Sequence, residues 1–239
     1  MGKAHLRETC LERCDLSMAN LQGADLTKAY FNGANLSGGD LDESDLSKAN
    51  LSETNLSNAI LTNVNLTNAD LRRSDLTNAN LEFADLSNTN LSDSKLCNAN
   101  LSSANLQECD LSNAAINQAN LSHANLADAI LSNANLSNAN LRHANLKNAV
   151  LSNAILSNAD LSDSNLEDTI LSDAILSNAN LNGAILTGSQ LVSAKLDAAF
   201  LIGTNLVKAN LRLANLNGVS LSEANLFGTI MPDGSVHNH

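Results

Sequence analysis

Every fifth residue from Leu6 to Met231 is a large apolar one; the place is Leu throughout except for Phe31, Ile116 and Met231. Two residues before each sits a small side chain, as in Ala19 before Leu21, Cys109 before Leu111 and Thr204 before Leu206. A short period held along a whole chain means a solenoid, in which each unit buries its apolar face only by stacking on the next. A period of five suits neither regular element. On an α-helix such residues drift around the axis instead of forming a stripe, and on a flat strand they fall on alternate faces. What fits is a short extended segment followed by a bend. The small residue and the Leu, two apart, then share the inward face, and the two residues after Leu turn the corner.

The corner residues agree with this reading. The second residue after Leu is often Asn or Gly (Asn58, Asn78, Asn133, Gly183, Gly188, Gly203), which tolerate the positive φ of a type II turn. The first is usually Ser or Thr, whose hydroxyls bond locally at bends. The corner asparagines also bear on the size of a coil. Four units per coil place Asn58, Asn78, Asn98, Asn138, Asn158 and Asn178 in one column, whereas three units scatter the corner asparagines almost evenly. Stacked Asn amides stabilise parallel ladders, so four units per coil are expected.

Units such as Ala124-Asn125-Leu126-Ala127-Asp128 and Ala69-Asp70-Leu71-Arg72-Arg73 resemble the pentapeptide-repeat family, whose consensus is A(D/N)LXX. The resemblance implies an all-β fold, a right-handed quadrilateral parallel β-helix of about eleven coils. At about 4.8 Å per coil such a rod is about 55 Å long. Residues 1–3 read as a lead-in, 4–231 as the solenoid and 232–239 as a C-terminal tail. Pro232 cannot donate to a ladder and ends the last coil. The abundance of such repeats in cyanobacteria makes that source the expectation. Cys14 and Cys109 occupy the small inward place and read as buried apolar groups. The four cysteines are expected as free thiols, because Cys10 and Cys14 lie several coils from Cys97 and Cys109.

Charge narrows the function. A formal charge of −12 disfavours nucleic acid or an anionic membrane as the direct partner. No apolar segment is long enough for a signal peptide or a membrane span, so a cytoplasmic location is expected. No phosphate loop or Cys-x-x-Cys pair is present, and a filled rod offers no catalytic pocket. The expectation is a non-enzyme without a cofactor, acting as a structural or protein-interaction rod. The family offers an alternative, since some members resemble a DNA duplex and bind gyrase, a type II topoisomerase. A duplex of ~55 Å carries about 32 charges, well above the present charge. The candidate acidic patch for that role is Asp163, Glu167, Asp168 and Asp173, with Asp40, Asp42, Glu43 and Asp45 clustered in another coil.

Two further sets of residues stand out. His123 and His143, twenty apart, are vertical neighbours with Asp163 one coil beyond, a candidate metal column; the plainer reading is that they fill outward corner places. Toward the C-terminus, Val192, Phe200, Ile202, Val207, Leu213 and Phe227 bring apolar groups to outward places. An earlier set comprises Ile130, Val150 and Ile170 in one column, with Ile155 and Ile175 in the next. The C-terminal set and the open last coil have two readings, a homodimer through these coils or a tail folded over the end as a cap.

Overall fold

The computed structural model describes residues 4–238; the lead-in at 1–3 and the final residue of the tail lie outside them. One register organises the described chain. A parallel bridge joins residue n to residue n + 20, beginning with His5 to Asp25 and ending with Asn210 to Ile230. Four five-residue units therefore make one coil, and the bridging residues form four columns, one on each side of a four-sided rod. The first side carries residues 5, 25, 45 and onward; the second starts at 10, the third at 15 and the fourth at 20.

Each unit repeats the same main-chain bonds. The Leu N–H donates up to the next coil, as from Leu126 to the Asn145 carbonyl (2.6 Å). The N–H of the bridging residue donates down, as from Asn145 to the Ala124 carbonyl (2.9 Å). A third bond, from the small residue's N–H to the preceding Leu carbonyl, closes each corner: Ala124 to Leu121 spans 3.1 Å. The third residue of every such turn except the one at Glu223 has positive φ, from 53° at Asn63 to 74° at Gly218, as a type II turn requires. The sequence obeys this constraint. The second corner place holds Asn, Gly, Asp, Glu, Lys and even Phe83, but no Val, Ile or Thr from residue 8 to 228. β-Branched side chains are the least tolerant of the left-handed region.

Inside the rod, Leu and Ala alternate in closed layers, with most Leu side chains fully buried. Where Thr takes the small place, its hydroxyl can donate to a core carbonyl, as from Thr54 Oγ1 to Phe31 O and Thr89 Oγ1 to Leu66 O (both 2.8 Å), whereas the buried hydroxyls of Ser44 and Ser74 have no partner. Cys109 is fully buried, and burial pushes its thiol pKa up. Cys14 departs from expectation: it is exposed, because no coil of the described chain lies beneath the first. All four cysteines are free thiols.

The C-terminal end is built differently. The chain reverses after the solenoid, and β1 (Thr229–Ile230) pairs antiparallel with β2 (Val236–His237). This hairpin lies on the end of the second side, where the Leu211 N–H donates to the Ile230 carbonyl (2.8 Å). The tail thus caps part of the end. On the fourth side the ladder is interrupted. Phe200 has no bridge to residue 220, and Glu223 alone among the second-corner places from 8 to 228 lacks positive φ.

Asx turns brace the corners from outside and fix several carboxylates in the charged form. Asp25 accepts from the Thr27 hydroxyl (2.7 Å) and amide (3.1 Å), and Asp70 accepts two bonds from the Arg72 guanidinium (2.8 and 2.6 Å). The Thr62 hydroxyl and then the Gln22 amide act on Asp42. All three carboxyl pKa values are held below the ordinary value.

Asn138→Val is expected to lower stability by about 1–2 kcal/mol and Asn138→Gly by only a few tenths, read from denaturant unfolding. Because those carboxyl pKa values are depressed in the fold, their stabilisation is present above the unfolded value near 4 and is lost as pH falls through the folded values. The thermal midpoint is therefore expected to hold steady above about pH 5 and to fall below about pH 4; Asp70→Asn reduces that fall.

Candidate interaction surfaces

With the core filled, chemistry is confined to the outward residues, and these are sorted by side. The first and fourth sides carry side-chain amide ladders. On the first, Asn105, Asn125, Asn145 and Asn165 each donate Nδ2 to the Oδ1 one coil below, at 3.1, 3.1, 2.9 and 3.3 Å. On the fourth, Asn100, Asn120 and Asn140 do the same at 3.0, 3.1 and 3.0 Å. The Oδ1 atoms also accept a main-chain N–H two residues on, as Asn120 does from Ser122 (3.2 Å). Each rung thus stitches coil to coil and braces a corner. The corner asparagines that pointed to four units per coil behave otherwise. In their column only Asn78 and Asn58 share an amide bond (3.2 Å) among the described residues. They are selected for positive φ, and the ladders run on the sides.

The second and third sides differ over the same coils. Ile130 bridges Val150 and Val150 bridges Ile170 on the second side; Ile155 bridges Ile175 on the third. Ile130, Ile155 and Ile170 stand well exposed. Across these coils the rod is therefore sided, with amides on two adjacent faces and aliphatic groups on the other two.

The acidic patch is not gathered in one place. Asp163 stands at the corner between the fourth and first sides, Glu167 and Asp168 at the next corner, and Asp173 at the one after. Lys147 Nζ lies 2.9 Å from Glu167 Oε2, and that contact raises the lysine pKa. Asp163 and Asp168 lean toward the following coil, over Gly183 and Gly188; a methyl group at Gly183 would stand 2.5 Å from Asp163 Oδ1. Asp40, Asp42, Glu43 and Asp45 do share one corner, where Asp42 accepts from Gln22 Nε2 (3.0 Å).

His123 and His143 meet, but as stacked rings, with centroids 4.9 Å apart and planes 22° from parallel. Stacking sets their in-plane lone pairs side by side instead of converging them on one point. Among the described residues no three His, Cys, Asp or Glu side chains are grouped as a metal site. Asp163, leaning away over Gly183, does not complete a trio.

The C-terminal apolar residues also fall on separate parts of the rod. Val192 and Leu213 share the corner between the second and third sides, and Val207 and Phe227 the corner between the first and second. Phe200 stands on the fourth side, with Ile202 at the next corner; each is 54% exposed. Phe200 carries no Asx oxygen, so the Ile202 N–H donates to Asn182 Oδ1 in the coil below (2.8 Å). Beside them the interrupted ladder leaves a shallow groove of about 370 Å³, bounded by Ala198, Gly218 and Ser220. The sequence reading missed this groove. Its one signal is the conjunction of Val219 in the small inward place with Ser220 where Asn or Asp is usual.

No helix among the described residues is long and apolar enough to cross a membrane. Comparison with known proteins gives the family. The model for pentapeptide repeats matches in eight copies between residues 2 and 231. HetL, a pentapeptide repeat protein involved in heterocyst differentiation regulation in the cyanobacterium Nostoc sp. strain PCC 7120, is 35% identical over 89% of this chain and 91% of its own, with a TM-score of 0.43. Rfr23 from the cyanobacterium Cyanothece 51142 is 40% identical over 43% of this chain and 63% of its own, with a TM-score of 0.33. QnrB1, a plasmid-mediated fluoroquinolone resistance protein, is 18% identical over 72% of this chain and 86% of its own, with a TM-score of 0.41. No curated protein matches the chain. The repeat-family match and the twenty-residue ladder agree: the chain belongs to the pentapeptide repeat family, whose fold is the right-handed quadrilateral β-helix.

Proposed function

We propose that the protein is a non-catalytic, cytoplasmic rod of about eleven coils that holds a protein partner along its second and third sides. The solenoid is assigned to residues 4–231 and the tail to 232–239. The observation that carries this reading is the sidedness of coils 125–175. Amide ladders close the hydrogen-bonding capacity of two faces, while Ile130, Val150, Ile170, Ile155 and Ile175 stand on the others, where Asn or Asp is the usual residue. Grouped outward aliphatic residues mark contact surface. The acidic-mimic alternative needs continuous negative charge along one face. Asp163, Glu167, Asp168 and Asp173 stand instead on three corners, and Lys147 neutralises one of them.

The test is a triple substitution, Ile130→Asn, Val150→Asn and Ile170→Asn, which puts the common side residue on the second side in the kind of column that the first and fourth sides already carry. A partner of the wild-type rod is expected to lose at least about tenfold in affinity for this variant; a partner held equally by both sinks the reading. In a gyrase supercoiling assay the protein is expected to be inert up to a few tens of micromolar. Inhibition that disappears when the four acids become Asn or Gln would put the DNA-mimic in its place.

A further inference from the structure

The N-terminal edge of the ladder has a specific chemistry of its own. In the first coil Leu6, Leu11 and Leu16 donate their N–H groups upward (2.8, 2.8 and 2.7 Å), and the Ala4, Thr9 and Cys14 carbonyls accept from the coil above. What remains points the other way. The main-chain N–H and C=O of His5, Cys10 and Asp15 have no partner among the described residues. All three residues are exposed, and Leu6, Leu11 and Leu16 are only half-buried above them. The corner side chains do not shield this edge, because they lean toward the second coil. Met18 Sδ stands 2.6 Å from where a methyl at Gly38 would be, Arg13 Cγ 3.4 Å from one at Gly33, and Glu8 pairs with Lys28 (3.1 Å).

An extended residue that presents both N–H and C=O in one direction is self-complementary. Two such residues related by a twofold axis exchange both bonds, as in the hydrogen-bonded pair of an antiparallel ladder. We propose that two copies of this chain join head to head through this edge, with Cys10 on the twofold axis. Each coil climbs one strand spacing per turn, and an axis through Cys10 keeps three sides in step. Cys10 then lies opposite Cys10 of the second copy, and His5 lies opposite Asp15 of the second copy, twice over. The carboxylate of Asp15 has an oxygen to spare: its Oδ1 takes the Ser17 amide and Asn35 Nδ2 (both 3.1 Å).

Charge favours this axis over its neighbours. An axis through the first and third sides sets like against like, Asp15 on Asp15 or His5 on His5. One through the corner between the second and third sides pairs Cys10 with Asp15 and forfeits both His5–Asp15 pairs. The corners that meet in the chosen arrangement carry Arg7 with Glu8 and Glu12 with Arg13, each neutral in sum. Joining end to end also keeps most of the two −12 charges beyond a Debye length of each other. The occupant is a second copy because the edge matches itself in both main-chain bonding and charge. The inference is independent of the partner surface on the second and third sides.

Light scattering of the full chain at about 100 µM is expected to give a dimer. In a Cys14→Ala/Cys97→Ser background, where buried Cys109 is inert, a short bismaleimide is expected to link the copies through Cys10; Cys10→Ser abolishes the link. Asp15→Lys is expected to weaken the dimer at least about tenfold, and His5→Asp combined with Asp15→Lys to restore it. Thermal transitions of each variant confirm that the fold is intact. A monomer at that concentration overturns the proposal. So does a dimer indifferent to Asp15→Lys or not linked through Cys10. A dimer lost in Phe227→Ser instead would place the contact at the other end, leaving the partner-binding reading untouched.

Discussion

The structure depends on a parallel main-chain ladder with a step of twenty residues. Bonds such as Leu126 N–H to Asn145 O and Asn145 N–H to Ala124 O recur on every side, so most backbone groups in the body of the rod are paired, the carbonyl of the second corner residue, as at Asn138, being the regular exception. That register forces a corner every five residues, and the corner forces positive φ at its second place. It also brings like positions of successive coils into contact. Leu stacks on Leu inside, Asn on Asn outside, and each column can be read as an object in itself.

Much of this was legible in the chain. The five-residue period carries the extended segment, the corner and the filled interior, because only that geometry turns both Leu and the small residue inward. Four units per coil were legible as well, though by an indirect route. Asn58, Asn78 and their column mates signal the register, yet they stand where they do because Asn tolerates the left-handed region, while the amide bonds form on the sides, among Asn105, Asn125 and Asn145. Features at the ends were not legible from the period. Cys14 has the inward place but no coil beneath it. Ser220 has the bridging place, but with Val219 in the small slot and Phe200 below, its bridge is missing.

Candidate sites were less legible than the fold, because neighbours in sequence do not share a face. Asp163, Glu167, Asp168 and Asp173 look like one patch in the chain and are dispersed over three corners by the folding of a single coil. Residues twenty apart, by contrast, are brought together: the imidazoles of His123 and His143 stack, and Ile130, Val150 and Ile170 line up. In such a molecule surface composition is organised by remainder modulo twenty. The side carrying a residue matters more than its distance along the chain.

The mismatch between the unit that fills the core and the unit that closes a coil has a further consequence. Every five-residue unit offers the interior the same Leu and small residue, so the core is indifferent to gaining or losing one. The surface is not. One unit more or less between residues 110 and 130 would leave the packing whole and turn everything downstream a quarter turn about the axis. The aliphatic columns would swing onto other faces, while the coils before the change kept theirs. Duplication in steps of five thus works as a rotary adjustment, resetting which faces of the two halves look the same way while the re-paired coils still stack Leu on Leu and small residue on small residue.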